Sequence, residues 1–103
     1  MKKSIITAAI VFFASATTAF AADIAAGEAA YMSKGCGACH GIDGNSAIAP
    51  DYPKLGGQNV IYTANQLRAF KSGERQNAIM SPMSLSLSDD DIDNISAYLA
   101  SLQ

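Results

Sequence analysis

Both cysteines of the chain and its single histidine lie within five consecutive residues, Cys36-Gly37-Ala38-Cys39-His40. Two thiols at this spacing can close a disulfide, act as a redox pair, ligate zinc or form thioethers with a haem. A C-x-x-C-H string in an exported protein is typical of covalent haem attachment. At this spacing both thiols reach the two vinyl groups on one side of a porphyrin, and the imidazole falls under the iron as an axial ligand.

A disulfide, a redox pair and a zinc site each explain the motif less completely than haem attachment does. A single disulfide would leave His40 without a role. A thioredoxin-like pair needs a β-α-β setting, and no strand is predicted before Cys36. Structural zinc needs four ligands, whereas two Cys and one His make only three. We therefore predict one covalently bound haem c per chain, held by Cys36, Cys39 and His40.

The second axial ligand of the iron must come from another residue type, because His40 is the only histidine. Beyond the N-terminal segment the candidates are Met32, Met80 and Met83. Met32 falls on a predicted helix before the attachment motif, where packing is the usual role of a methionine. Met80 and Met83 fall in a predicted loop that can bring a thioether to the far face of the porphyrin. Their spacing alone does not separate them.

Residues 1–21 have the pattern of a secretory signal peptide. Its parts are a positive start, an apolar run and a small-residue cleavage site, at Lys2-Lys3, Ile5–Phe13 and Ala19-Phe20-Ala21. The apolar run is too short and too interrupted for a membrane anchor, which needs about 20 apolar residues. We predict cleavage near Ala21/Ala22, a periplasmic location without stable membrane insertion, and one mature domain over residues 22–103.

The composition of the mature domain limits what it can do. Removing 21 of the 103 residues leaves 82, and without Lys2 and Lys3 five basic residues face nine acidic ones, a net charge of −4. No basic excess remains to bind nucleic acid. A domain this short, without tryptophan, has only marginal stability from side-chain burial alone. It often needs a metal, disulfide or cofactor to fold. Two cysteines exclude a disulfide-rich scaffold.

Hydrophobic periodicity predicts an all-α fold of three main helices and irregular loops. The helices are expected at about 24–34, about 59–72, and from residue 88 onward. Ser88 and Asp91 form a capping-box-like pair at the start of the third helix. The acidic run 89–91 favours a helix N-terminus, so we interpret it as a capping device and not as a metal site. The segments 41–58 and 74–87 are predicted to be irregular.

The mature chain resembles the class I c-type cytochromes. It is most similar to the short, bacterial, periplasmic mono-haem proteins that resemble one half of the di-haem cytochromes c. The resemblance covers essentially all of residues 22–103. It rests on the order of eight motifs, which are Cys36–Gly41, Asp43–Ser46, Pro50–Gln58, Gln66-Leu67, Phe70–Gly73, Met80–Met83, Leu87–Asp89 and Ala97–Leu99.

This resemblance implies a cytochrome c fold wrapped around one covalently attached haem, and it implies roles for matching residues. The first methionine of an M-x-x-M loop is usually the iron ligand, which favours Met80 over Met83. A proline carbonyl is expected to orient His40; Pro50 fits that position best, with Pro53 as the second choice.

Other residues are expected to pack the haem or the helices. Gly27 and Tyr31 on the first helix are expected to meet Tyr98 on the last. The candidates for the apolar shell of the haem, each of which could equally be ordinary core, are Ile48, Tyr52, Leu55, Tyr62, Leu67, Phe70 and Ile79.

These features predict a soluble periplasmic electron carrier, not an enzyme, whose haem iron cycles between ferric and ferrous states with His/Met ligation. The alternatives are a haem-bearing subunit of a periplasmic oxidoreductase complex and a haem enzyme or gas sensor with a displaceable methionine. The resemblance implies redox protein partners, with a quinol-oxidising complex or dehydrogenase as donor and a terminal oxidase or reductase as acceptor. The carrier is expected to be a monomer.

Overall fold

The computed structural model describes residues 22–102, which form five helices and no strand. The helices are α1 (Ile24–Ser33), α2 (Cys36–His40), α3 (Val60–Ser72), α4 (Met80–Leu85) and α5 (Asp89–Ser101). The predicted all-α class is confirmed, and α1, α3 and α5 are the three predicted helices. The predicted signal peptide lies outside the described residues. None of the helices described is long and apolar enough to cross a lipid bilayer.

Each long helix begins at a side chain that accepts hydrogen bonds from its first free amides. Asp23 and Asn59 cap α1 and α3 in this way. Ser88 and Asp91 form a complete capping box at α5, in which each side chain accepts from the other residue's amide. The predicted capping role of the acidic run is therefore confirmed at Asp91. Gly73 ends α3 in the left-handed conformation, with φ +84°.

The two short helices were not predicted. The segment 74–87 was expected to be irregular, which is wrong for α4. Asn77 Oδ1 accepts from the amides of Ile79 and Met80, at 2.9 Å each, and so starts this helix. Pro82 is tolerated because the amides of the first helical turn have no intrahelical partner to lose. Hydrophobic periodicity cannot reveal helices of five and six residues.

Helices α1 and α5 are in close contact at Gly27. A Cβ added there would overlap the carbonyl oxygen of Asn94 and lie 2.9 Å from Cβ of Tyr98. The rings of Tyr31 and Tyr98 lie beside this point, with centroids 5.6 Å apart. The backbone amide of Asp23 donates to Asn94 Oδ1 at 2.9 Å. The predicted contact of Gly27 and Tyr31 with Tyr98 is confirmed.

The buried core is small and lies mainly on α5. Its apolar members are Tyr31, Ala64, Leu87, Ile92, Ile95, Tyr98 and Leu99. Two large apolar side chains stay outside it: Ile48 of the 41–58 segment is 69% exposed and Tyr62 of α3 is 51% exposed. Ile48 lies at the attachment motif, because its amide donates to the carbonyl of Cys39 at 3.1 Å, and its exposed side chain suits the apolar body of a porphyrin.

Candidate haem-binding site

Helix α2 carries the complete attachment motif. Gly35, with φ +82°, turns the chain between α1 and α2, a conformation that favours glycine. Cys36 and Cys39 are half-buried, three positions apart, and not joined by a disulfide. Residues at this spacing share one face of a helix. The structure therefore presents two thiols side by side, as attachment to two vinyl groups requires.

Burial raises the pKa of the Cys36 thiol, and the charge of a Cys39 thiolate would raise it further. A raised pKa is the opposite of the lowered pKa that activates the cysteine of a redox enzyme.

His40 is buried, with 4% of its surface exposed, and its orientation is set by a backbone carbonyl. Its Nδ1 lies 2.9 Å from the carbonyl oxygen of Pro53. Because a carbonyl oxygen only accepts, Nδ1 carries the proton and donates, which leaves the lone pair of Nε2 for a metal. A backbone carbonyl in this position fixes both the tautomer and the orientation of the ring.

The residue that orients His40 is Pro53, so the expectation of Pro50 was wrong. The amide of Tyr52 donates to the carbonyl of Ala49 at 3.1 Å, which closes a turn around Pro50. The chain has left this turn by Pro53, whose carbonyl faces the imidazole. Pro50 instead lines a cleft of about 430 Å³ formed by residues 45–50 and 52–54.

The cleft lies beside His40. Tyr52, one of its lining residues, packs edge-on against the imidazole with ring centroids 5.9 Å apart. A rigid turn precedes the cleft: the Asp43 carboxylate accepts from the amides of Asn45 and Ser46 and from the Ser46 hydroxyl, at 2.9 Å each. These hydrogen bonds, led by that from the Asn45 amide, hold the pKa of Asp43 below its usual value.

Two tyrosines hold the chain that follows His40. The buried Tyr31 hydroxyl donates to the carbonyl of Gly41 at 2.6 Å, and the Tyr98 hydroxyl donates to the carbonyl of Ile42 at 3.2 Å. Burial raises the pKa of both phenols, so they remain donors at neutral pH. The contact between α1 and α5 therefore also positions His40, a role that sequence reasoning missed.

The other predicted site residues are distributed around this centre. Met80 and Met83 lie one turn apart on α4, and the Met83 methyl is 3.6 Å from the position a Cβ on Gly35 would take. The structure therefore brings α4 to the turn that precedes Cys36. Leu55 and Leu67 are partly buried against the core. The candidates with more open side chains are Ile48, Tyr62 and Ile79.

Two lysines form hydrogen bonds to the backbone of the segment between α4 and α5. Lys34 Nζ donates to the carbonyl of Ser86 at 3.2 Å, and Lys71 Nζ donates to the carbonyl of Leu87. Because Lys34 follows α1 and Lys71 belongs to α3, these bonds tie the end of α4 to both helices. Sequence reasoning missed both, since neither spacing nor composition indicates a bond between residues so far apart.

The donor set suits a haem. It consists of two adjacent thiols, a buried imidazole with its lone pair free, and the two thioethers of α4. Within residues 22–102, no three His, Cys, Asp or Glu side chains cluster as a candidate site for a metal ion alone.

An all-helical domain with this motif and this imidazole defines a c-type haem protein. The Cytochrome c family model matches residues 24–103, and the chain belongs to that family. Haem c bound covalently through a C-x-x-C-H motif is the cofactor of the family, and Cys36, Cys39 and His40 supply this motif here.

Relatives make the family placement more specific. The chain is 47% identical over 81 residues to cytochrome c4 of Pseudomonas aeruginosa, covering 79% of this chain and 39% of that protein. It is 44% identical to cytochrome c-554(548) of Halomonas halodenitrificans, covering 79% of this chain and 98% of that protein. It is 39% identical to the thiosulfate dehydrogenase electron acceptor of Stutzerimonas stutzeri, covering 65% of this chain and 31% of that protein.

Solved structures that resemble this fold include cytochromes c4 as well. The crystal structure of reduced recombinant cytochrome c4 from Pseudomonas stutzeri superposes with a TM-score of 0.70 at 34% identity, covering 78% of this chain and 48% of that one. The chain therefore spans about half or less of the length of the cytochromes c4, which it matches over one domain, and nearly the full length of the cytochrome c-554(548).

Proposed function

We propose that this protein is a periplasmic electron carrier whose haem iron cycles between ferric and ferrous states with His40 and Met80 as axial ligands. The observation that carries the proposal is the buried imidazole of His40, which is aligned by Pro53 and directly follows two adjacent thiols. The similarity to cytochrome c4 and cytochrome c-554(548) supports a carrier over an enzyme.

The protein contributes rigidity and ligand choice to this chemistry. A haem supplies an iron that gains and loses one electron. Pro53 and the Tyr31 and Tyr98 hydroxyls hold His40 in one orientation. A thioether from α4 favours ferrous iron and raises the reduction potential relative to two nitrogen ligands. If His40 and Met80 both held the iron, no position would remain for a substrate, and the chemistry the haem would supply is the transfer of one electron at a time.

Two features of Met80 support it over Met83 as the proposed ligand. Its amide is held by Asn77, and it is half-buried, whereas Met83 is 37% exposed. Asn77 is itself held, because its amide donates to the Ser81 hydroxyl at 3.0 Å. The family pattern also favours the first methionine of the M-x-x-M loop.

Replacing Met80 with alanine should abolish the methionine-to-iron charge-transfer band of the ferric protein and lower its reduction potential, because a nitrogen or water ligand would replace sulfur. Met83→Ala, the matched control on the same helix, should keep the band. The measurement is the near-infrared edge of the visible spectrum together with a redox titration. The opposite pattern in the two variants would make Met83 the ligand, and a band that survives in both would refute methionine ligation from α4.

The proposed carrier exchanges electrons with other proteins, as the similarity to an electron acceptor of thiosulfate dehydrogenase supports. The donor would be a quinol-oxidising complex or dehydrogenase and the acceptor a terminal oxidase or reductase. The signal peptide predicted over residues 1–21 would be cleaved near Ala21/Ala22 and deliver residues 22–103 to the periplasm. Redox encounters of this kind use small, weak interfaces.

The same similarity favours a second candidate, a haem-bearing subunit of a periplasmic oxidoreductase complex. The two differ in how the native protein behaves at physiological concentration. We expect the carrier to elute from gel filtration of a periplasmic extract at the size of a free monomer, followed by its haem absorbance. Elution of nearly all of it in a stable larger complex would support the subunit instead.

A further inference from the structure

Within residues 22–102, all but one of the lysine and arginine side chains are engaged internally. Lys34 and Lys71 donate to backbone carbonyls. Arg68 pairs with Asp93 at 2.8 Å and with Asp89 at 3.6 Å. Arg75 donates to the side-chain oxygen of Gln66 and lies over the ring of Phe70. Their charges are therefore already compensated or used by the fold.

Lys54 is different. Among residues 22–102 it is the one basic side chain with neither a hydrogen-bond acceptor nor an ion-pair partner. Asp51, three residues earlier, is exposed and does not come within ion-pair distance of it. A solvated lysine is ordinary on a surface, so its place in the fold decides what it can do.

Lys54 lies at the haem site. It lines the cleft beside His40 together with Tyr52 and Pro53. It directly follows Pro53, whose carbonyl orients the axial imidazole. The only uncompensated cation of the described chain is thus carried by the loop that sets the position of the iron ligand.

A haem brings two negative charges to such a site. Its two propionate groups are on pyrroles other than those that bear the vinyl groups, so the side of the ring bound by Cys36 and Cys39 does not hold them. The cleft offers no other cation to compensate them, because every lining residue except Lys54 is apolar or neutral.

We propose that Lys54 pairs with a haem propionate and thereby raises the reduction potential of the iron. A cation close to the ring disfavours the ferric state, which carries one more positive charge than the ferrous state. The same pair would hold the porphyrin edge against the loop of residues 45–54. The redox consequence rests on the electron-carrier function proposed above, whereas the pairing needs only the covalent haem.

The test compares Lys54→Gln, Lys54→Arg and Arg68→Gln in the purified holoprotein. Two quantities are measured, the midpoint reduction potential and the propionate bending bands of the resonance Raman spectrum, which report hydrogen bonding to the propionates. We expect Lys54→Gln to lower the potential and shift the bands, and Lys54→Arg to stay close to the wild type. Arg68→Gln removes the same charge from an existing ion pair between α3 and α5, so it should leave the bands unchanged.

Three results would overturn the inference. One is a Lys54→Gln protein with the bands and potential of the wild type. Another is an equal fall in potential in Lys54→Gln and Arg68→Gln with unshifted bands, since that would be the effect of net charge alone. The third is a change confined to the rate of electron exchange with a partner, which would place Lys54 in a docking surface. Failure of the carrier proposal would show separately, as a wild-type protein without the methionine charge-transfer band.

Discussion

Replacing both Cys36 and Cys39 with alanine should give a chain that loses its haem and most of its helical structure. The described residues bury only seven apolar side chains, and two of these are tyrosines. A domain of this length has marginal stability unless a disulfide, metal or cofactor stabilises it. The free energy of binding that group then becomes part of the free energy of folding. Mass spectrometry of the protein would report the missing haem, and far-ultraviolet circular dichroism would report the lost helix.

Ala38→Ser is the matched control for this experiment. Ala38 is the exposed position between the two thiols, so the change alters α2 without removing an attachment point. It should keep both the haem and the helical signal. A double cysteine variant with native-level helicity would show that the polypeptide folds alone, and would refute the view that the haem completes the core.

Gly27→Ala should destabilise the holoprotein by about 3 kcal/mol, although alanine is the better helix former by about 1 kcal/mol. The new Cβ would overlap the carbonyl oxygen of Asn94 and press on Tyr98 Cβ. Two backbones cannot yield as a flexible side chain would, so α1 and α5 must separate. Chemical denaturation followed by circular dichroism measures the free energy of unfolding.

Gly73→Ala separates steric overlap from the other effects of adding a methyl group. No atom lies within 4 Å of a Cβ at that position, and only the left-handed φ of +84° opposes the change. It should cost about 1 kcal/mol. If Gly27→Ala proved no more costly than Gly73→Ala, the close contact between the two helices would not exist in solution.

The long helices could be predicted because residues directly at their ends, in the sequence itself, mark where they begin and end. Asp23 and Ser88 are capping residues directly before α1 and α5, and Gly73 stands directly after α3. Helix α4 has a start signal too, but Asn77 lies three residues before Met80 and the helix is too short to show a period. A capping asparagine followed by a proline in the first turn would have been the signal to look for.

The site divides in the same way. Cys36, Cys39 and His40 lie within one five-residue motif, so their spacing in the sequence was enough to identify them. The choice between Pro50 and Pro53 depended on a turn that reverses the chain between them, which composition does not locate. The bonds from Tyr31 to Gly41 and from Lys71 to Leu87 join distant segments and could be found only in the folded structure.

The position of the core along the chain has a consequence for the order of assembly. Five of the seven core residues lie between Leu87 and Leu99, and the bond from Asp23 to Asn94 joins residues 71 positions apart. Contacts of such sequence separation form late, because the loop between them must close first. The two thiols lie three positions apart on α2, so both can be presented in the interval before α5 closes the core. Haem attachment has this interval in which Cys36 and Cys39 are still accessible, so the attachment reaction can meet an open chain and leave closure of the core as the last step.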